Sequence, residues 1–482
     1  MENVYVTIGL EVHCQLLTRA KMFCRCSTDY IGKTPNTLVC PVCMGLPGAL
    51  PVLNRRALEL AIKTALALQC EILPEVVFHR KNYFYPDLPK GYQISQYDFP
   101  IGVRGVLEFA LQGTKKRVRI RRVHVEEDAG KLIHEGPELR GTVSGVDFNR
   151  AGIPLVEIVT EPDLHSPEEA KECLVMLRNI VRYLEVSDGN MEEGSLRCDA
   201  NVSVSLSPET PGAKVEIKNM NSFRSVFRAL SYEVERQAEL LRAGKTLVQE
   251  TRHWDEVRQV TVPSRGKEEA EDYRYFPDPD LLPFRIAPAM LQEIQATIPE
   301  LPLQKKERFM REYELPEPEA YILVQDRDLA EFFEACVREF PSPRAVCNFI
   351  LTEVLKNLNS LNIGIRESKV TPSMLAELLK MVERKEIGIS LAKGIFEEMF
   401  RTGMGARDVM LKKGISFLTS ERDLEKVVRE VIEKNPQSVA DYLRGKEKAL
   451  HFLIGQVMRA TRGQANPEVV KNLLLRELSS GE

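Results

Sequence analysis

The strongest constraint on the fold is a change of hydrophobic period at a cluster of prolines. Up to about residue 290 the chain has short alternating runs broken by turn residues. In Val4, Val6, Ile8, Leu10 and Val12 every second residue is apolar, the pattern of a half-buried strand. Pro277, Pro279, Pro283 and Pro288 interrupt this pattern, and after Ile298-Pro299-Glu300-Leu301-Pro302 helical spacing takes over. Thr371-Pro372, Ser420-Glu421 and Asn466-Pro467 each open a helix there. The expected architecture is α+β: a strand-rich domain over 1–290, an all-helical domain over 291–405 and a small helical tail over 406–482, the last break falling near Gly403 and Gly405. Three helices are expected inside the first domain. One follows Asn54, one follows the capping box Ser166-Pro167-Glu168-Glu169, and one runs from Ser222 to Ala243 before Gly244.

Charge narrows the function classes. Sixty-six Lys and Arg against 70 Asp and Glu give a net charge of −4, so any nucleic acid must be held by a local patch. No run approaches the ~18 apolar residues of a membrane span. The N-terminus runs directly into a strand pattern with no signal core, so a cytoplasmic protein is expected. Of ten cysteines, Cys14, Cys70, Cys173, Cys198, Cys336 and Cys347 are scattered and suit the interior. The other four pair as Cys24-x-Cys26 and Cys40-Pro-Val-Cys43, with Gly32, Lys33, Pro35 and Asn36 between the pairs. Two close thiolate pairs on tight turns suit a tetrahedral zinc ion, and four protein ligands leave no open position, so the knuckle is expected to be structural.

The chemistry-bearing residues lie on strands. Glu11 and His13 share one face of the opening strand, and Glu157 is the sole charge in the otherwise apolar Ile153–Val159. Glu126, Glu127 and Asp128 end a third strand; Asp199 and Asn201 alternate with apolar residues on a fourth, and Glu216 and Lys218 on a fifth. A sheet lined with oxygen donors suits magnesium, with a plain solvated acidic rim as the alternative. Arg80-Lys81-Asn82-Tyr83-Phe84-Tyr85 interleaves cations and aromatic rings, as phosphate charge and base stacking require. The basic run Lys115–Arg122 fits substrate binding or a charged edge strand equally well. There is no P-loop, since Glu239 stands where the first glycine before Gly244-Lys245-Thr246 is required, and no Gly-x-Ser-x-Gly or other amidase nucleophile is evident.

Several long strings carry a resemblance. Ile8-Gly9-Leu10-Glu11-Val12-His13, Arg80-Lys81-Asn82-Tyr83-Phe84-Tyr85-Pro86-Asp87, Tyr92-Gln93-Ile94-Ser95-Gln96 and Glu126-Glu127-Asp128-Ala129-Gly130-Lys131 are similar to the B-subunit family of aspartyl/glutamyl-tRNA amidotransferases. So are Glu192–Asn201, Lys218–Phe223, Asp272–Pro277 and Gly463–Pro467. The resemblance implies an antiparallel-sheet cradle related to glutamine synthetase and the guanidino kinases. It also implies use of ATP and Mg2+ to phosphorylate the side-chain carboxylate of misacylated Glu-tRNA(Gln) or Asp-tRNA(Asn). Ammonia would come from a partner amidase subunit, with a small third subunit completing a heterotrimer. Glu11, His13, Glu157 and one of Glu126 and Glu127 would be catalytic metal ligands, and Lys81 and Tyr83 would contact the nucleotide. His13 would bind metal as neutral imidazole, since an ionised carboxylate needs no base. Zinc cysteines occur in only some members, so Cys24, Cys26, Cys40 and Cys43 belong to a variable feature whose presence supports the zinc reading and says little about catalysis. The helical tail would bind tRNA, with Arg459, Arg462, Gly463 and the Asn466-Pro467 cap as a phosphate seat. Two alternatives remain: a non-catalytic tRNA-binding scaffold, without ATP turnover in the complex, and an ATP-dependent ligase of a small carboxylic acid, active without tRNA.

Overall fold

A computed structural model of the protein describes residues 4–134, 143–210, 212–264, 273–414, 421–461, 465 and 467–479. The strands are β1 (Tyr5–Gln15), β2 (Glu71–Ile72), β3 (Glu75–Val76), β4 (His79–Asn82), β5 (Tyr92–Ser95), β6 (Gly102–Leu111), β7 (Thr114–Glu127) and β8 (Lys131–Ile133). They continue as β9 (Gly145–Asp147), β10 (Pro154–Thr160), β11 (Leu196–Ser205), β12 (Val215–Met220), β13 (Glu250–Asp255), β14 (Val260–Pro263), β15 (Phe276–Pro277) and β16 (Phe284–Arg285). All belong to the first of two compact units, Met1–Lys305 and Lys306–Glu482.

Nine strands form the main sheet in the order β14-β13-β12-β11-β1-β10-β7-β6-β2. Every neighbouring pair is antiparallel except β12 and β13. That parallel pair needs a crossover, which helix α3 (Phe223–Arg242) supplies together with the Ala243–Gln249 connection. The alternation read in the sequence sets the two faces. In β11, Leu196, Cys198, Ala200, Val202 and Val204 are buried, while Arg197, Asp199, Asn201, Ser203 and Ser205 are only partly covered. The apolar faces of β1 and β11 join one core with α1 (Arg55–Ala67), α2 (Pro167–Tyr183) and α3. The helices thus cover one face of the sheet, and the polar residues of the central strands share the other. A smaller sheet of β15, β4 and β5 stands beside it.

The caps expected at Asn54 and Ser166 are present, with one change of partner. Asn54 accepts from the Ala57 amide and Ser166 from the Glu169 amide. The Glu169 carboxylate accepts from the amide of His165, one residue before the cap, and its other oxygen pairs with Lys116 at 2.8 Å. The basic run is accounted for here. β7 is not an edge strand, but its first half extends past the end of β10, and acids of the following loop clasp it there. Arg119 pairs with Asp163 at 2.7 Å and Arg121 with Glu161 at 2.8 Å, while Lys115 meets Glu108 at 2.9 Å.

The second unit is helical throughout its described residues. Phe333, Phe349, Phe396 and Met399 centre one core, into which the helix Ala406–Lys412 packs through Ala406, Val409 and Met410. Leu424, Val428, Leu453, Val457 and Leu474 form another. The expected helix cap at Ser420 lies outside the described residues.

Candidate active site

The register of three central strands assembles the site. His13 of β1 stands opposite Glu157 of β10, and Glu157 stands opposite His124 of β7. On the same faces of their strands, Glu11 stands two residues before His13 and Glu126 two residues after His124, on opposite sides of this row. His13 Nε2 lies 3.3 Å from Glu157, 3.6 Å from Glu126 and 3.8 Å from Glu11. His124 Nε2 lies 3.1 Å from Glu157 and 3.7 Å from Glu126. Arg122 approaches Glu157 from the far side at 3.5 Å, and Ser95 donates to Glu126 at 3.1 Å.

Glu157 is only 4% exposed, and a carboxylate so placed must be paired to stay charged. Burial raises its pKa, but His124 and His13 overcome that and hold it well below the ordinary range. Burial lowers the pKa of His124, but Glu157 and Glu126 outweigh it and raise the imidazole to about 9. His13 is raised in the same way, against burial, chiefly by Glu157. Glu11 is pushed upward by burial and by Glu157.

Donor atoms of Glu11, His13 and Glu157 all lie within 4.8 Å of one another, and so do those of His124, Glu126 and Glu157. Two oxygen-rich sets sharing one carboxylate fit divalent cations of the magnesium class, which take carboxylates and keep room for water and phosphate oxygens. The cluster floors a groove of about 1050 Å³. On one wall Lys218 is held between Asp199 at 2.8 Å and Glu216 at 3.0 Å. On the other is Lys81, whose ammonium sits 4.7 Å from the Tyr273 ring centre; Tyr83 packs edge-on to Tyr273 at 5.7 Å. Burial opposes the charge of Lys81, but Glu126 and neighbouring groups keep it protonated.

Adjacent acids part company here. Glu126 joins the cluster, whereas Glu127 points to the opposite face, where it pairs with Lys90 and accepts from the Ile94 amide at 2.9 Å. Glu127 borders a cavity of about 60 Å³ beneath the cysteines. The sulfurs of Cys24, Cys26, Cys40 and Cys43 lie within 4.8 Å of one another, while the other six cysteines are buried singly. Lys21, fully buried, donates to the Leu38 carbonyl at 2.8 Å and reaches to 3.9 Å from Cys43 Sγ. Hydrogen bonding from Cys24, with Lys21 assisting against burial, brings the Cys43 thiol down to about 5. Four converging sulfurs beside a buried cation fit a zinc ion.

Sequence reasoning does not single out His124, although His124-x-Glu126 mirrors Glu11-x-His13: acid and imidazole two apart share a strand face. It places Arg122 only in the basic run. In the tail, Arg459 lies in the helix Glu447–Ala460, while Arg462, Gly463 and Asn466 lie outside the described residues.

Comparison with known proteins decides the family. Residues 6–292 match the family model described as GatB/GatE catalytic domain, and residues 331–478 match the GatB domain. A protein of Caldanaerobacter subterraneus, named as the B subunit of an aspartyl/glutamyl-tRNA(Asn/Gln) amidotransferase, is 52% identical over 98% of both chains. Proteins of the same name from Thermotoga maritima (52%; 98% of this chain, 99% of that one) and Carboxydothermus hydrogenoformans (50%; 99% and 100%) agree. The chain belongs to the GatB family of amidotransferase B subunits. It is one subunit of an ATP-using amidotransferase. Among the described residues no helix is long and apolar enough to cross a membrane.

Variants of this GatB chain in which Glu126 and Glu127 are exchanged for alanine separately should behave differently. Glu127→Ala leaves Lys90 buried without its carboxylate, and loss of one partner of a buried pair costs about 3–5 kcal/mol. Glu126→Ala takes one partner from His124, Lys81 and Ser95, but it relieves repulsion with Glu157, which stays paired with both histidines, so it should cost less. Thermal unfolding of the two variants measures the difference; equal destabilisation would contradict the opposed placement.

Proposed function

We propose that this chain activates the side-chain carboxylate of Glu or Asp misacylated onto tRNA(Gln) or tRNA(Asn). The carboxylate oxygen attacks the γ-phosphorus of ATP, ADP leaves, and ammonia then displaces phosphate to give the amide. The ammonia comes from a partner amidase subunit, with a third, small subunit in a heterotrimer. The observation that carries this reading is the shared carboxylate Glu157, flanked by two metal-capable donor sets on the floor of a groove with lysines on both walls. Glu11, His13, Glu126, Glu157 and His124 would hold Mg2+, which when bound neutralises phosphate charge in phosphoryl transfer. Lys81 and Lys218 supply fixed positive charge where the transferring group gains negative charge. Their own carboxylate partners keep both lysines protonated, so neither acts as a base. Because the substrate carboxylate enters ionised, no residue has to remove a proton before the attack. Tyr83, packed on Tyr273, walls the nucleotide side beside Lys81.

In the assembled complex, Glu157→Gln should lower kcat for amide formation at least about 100-fold. His124→Ala should do likewise, while glutamine hydrolysis by the partner stays measurable. Near-normal amide formation by Glu157→Gln would place the chemistry elsewhere.

Cys24, Cys26, Cys40 and Cys43 form a structural zinc site in this reading. Native protein should contain stoichiometric zinc with Zn–S distances of about 2.3 Å by X-ray absorption. Cys40→Ser should lower the melting temperature more than it lowers kcat, and zinc-free native protein would overturn the assignment.

The last helices are assigned to tRNA binding. From Pro436 to Glu482 there are seven Lys and Arg against five acids, a small excess, so placement matters more than charge. Deleting residues 415–482 spares the core that contains Met410. It should raise KM for aminoacyl-tRNA, make its salt dependence shallower and leave KM for ATP unchanged. An unchanged KM for the tRNA would reassign the tail to packing.

A further inference from the structure

The wall of the groove formed beside β4, β5 and β15 is built of stacked rings. Tyr97 and Tyr275 lie face to face, 4.6 Å between centres and 18° from coplanar. Tyr275 meets Tyr273 edge-on at 6.1 Å, beside the ammonium of Lys81. Tyr97 and Tyr275 both line the groove, yet Tyr97 remains 59% exposed. Among the described residues seven large aromatic side chains are exposed. Five of them, Phe84, Tyr85, Tyr97, Phe99 and Phe276, lie in β15 or in the turns after β4 and β5. Such a concentration of exposed rings on one small sheet marks a surface that something covers.

The neighbouring charges indicate what covers it. An apolar peptide would gain nothing from Lys81 and Arg122 at the same groove, whereas a nucleotide strand uses rings for bases and cations for phosphates. ATP brings one base, which a single ring pair accommodates; an unpaired RNA end brings several, matching rings spread over three segments. Single-stranded RNA is recognised largely by stacking of splayed bases on aromatic side chains. The amino acid is esterified to the terminal nucleotide. A side-chain carboxylate that enters the groove therefore brings the base of that nucleotide with it.

Resting on the function proposed above, we infer that the Tyr97–Tyr275 stack is the seat of the terminal unpaired base of the aminoacyl-tRNA, with the neighbouring exposed rings following the single-stranded end. Tyr97 presents its ring to solvent, so its removal leaves the packed core untouched.

The test uses the assembled complex with misacylated tRNA. Tyr97→Ala should raise KM for aminoacyl-tRNA about tenfold, the scale of one lost base–ring stack, with KM for ATP unchanged. Tyr97→Phe, which keeps the ring and loses only the hydroxyl, should restore the wild-type KM. A rise in KM for ATP instead would give the stack to the nucleotide substrate and overturn the inference, as would an Ala variant with both constants unchanged. Failure of the wild-type complex to form amide from misacylated tRNA would refute the proposed function itself. An unaffected Tyr97→Ala in a complex that does form it refutes only this inference.

Discussion

Glu157 is the residue on which the arrangement of the site depends. It sits in β10 between the two strands that bring His13 and His124. A carboxylate in that position is tolerated only because two imidazoles and a guanidinium converge on it. The same convergence raises both histidines and lowers the acid, so charge is concentrated at one place on the sheet. Removing Glu157 would separate two donor sets that its oxygens join. The site is thus a property of strand order: with β1, β10 and β7 in any other sequence, no cluster would exist.

Strand alternation then divides labour between the two faces. Glu126 turns toward the groove floored by His13 and Glu157, and Glu127 toward Lys90 and the cysteine cluster. One strand end therefore serves both the polar cluster and the support beneath the knuckle. Lys21 and Asn54 tie that support together. The Asn54 side chain caps α1 and also donates to the Ala20 carbonyl at 2.9 Å, while Lys21 donates to carbonyls of Leu38 and Phe148. The cysteine-bearing loops are anchored to the helix-covered part of the unit through these hydrogen bonds.

The groove walls differ in chemistry, and that difference suits a two-substrate reaction. Lys218 is locked by Asp199 and Glu216, a rigid cation suited to holding charge in place. Tyr97 and its neighbours are exposed rings, which in the reading proposed above suit a strand that must enter and leave.

Much of this is legible in the chain itself. Period-two alternation fixes that Glu11 and His13 face one way and the core residues of β1 the other. The isolated charge of Glu157 in an apolar run marks it for pairing, and the Cys-x-Cys and Cys-x-x-Cys spacing brings thiols together because the contacts are local. The α+β division follows from the shift of period, which is also a local property. What the sequence leaves open depends on partners far along the chain. Glu126 and Glu127 are chemically alike, and only the pairing of β7 with β10 decides which meets His13. His124 becomes important because Glu157 lies opposite it, 33 positions away in sequence. The basic run Lys115–Arg122 has the composition of a binding strip, but the acids at 161, 163 and 169 lie beside it and pair with it. The Tyr97–Tyr275 stack joins segments that share no local pattern at all. Local periodicity reports which face a residue takes; long-range strand order, set by burial of the whole sheet, reports what it meets there.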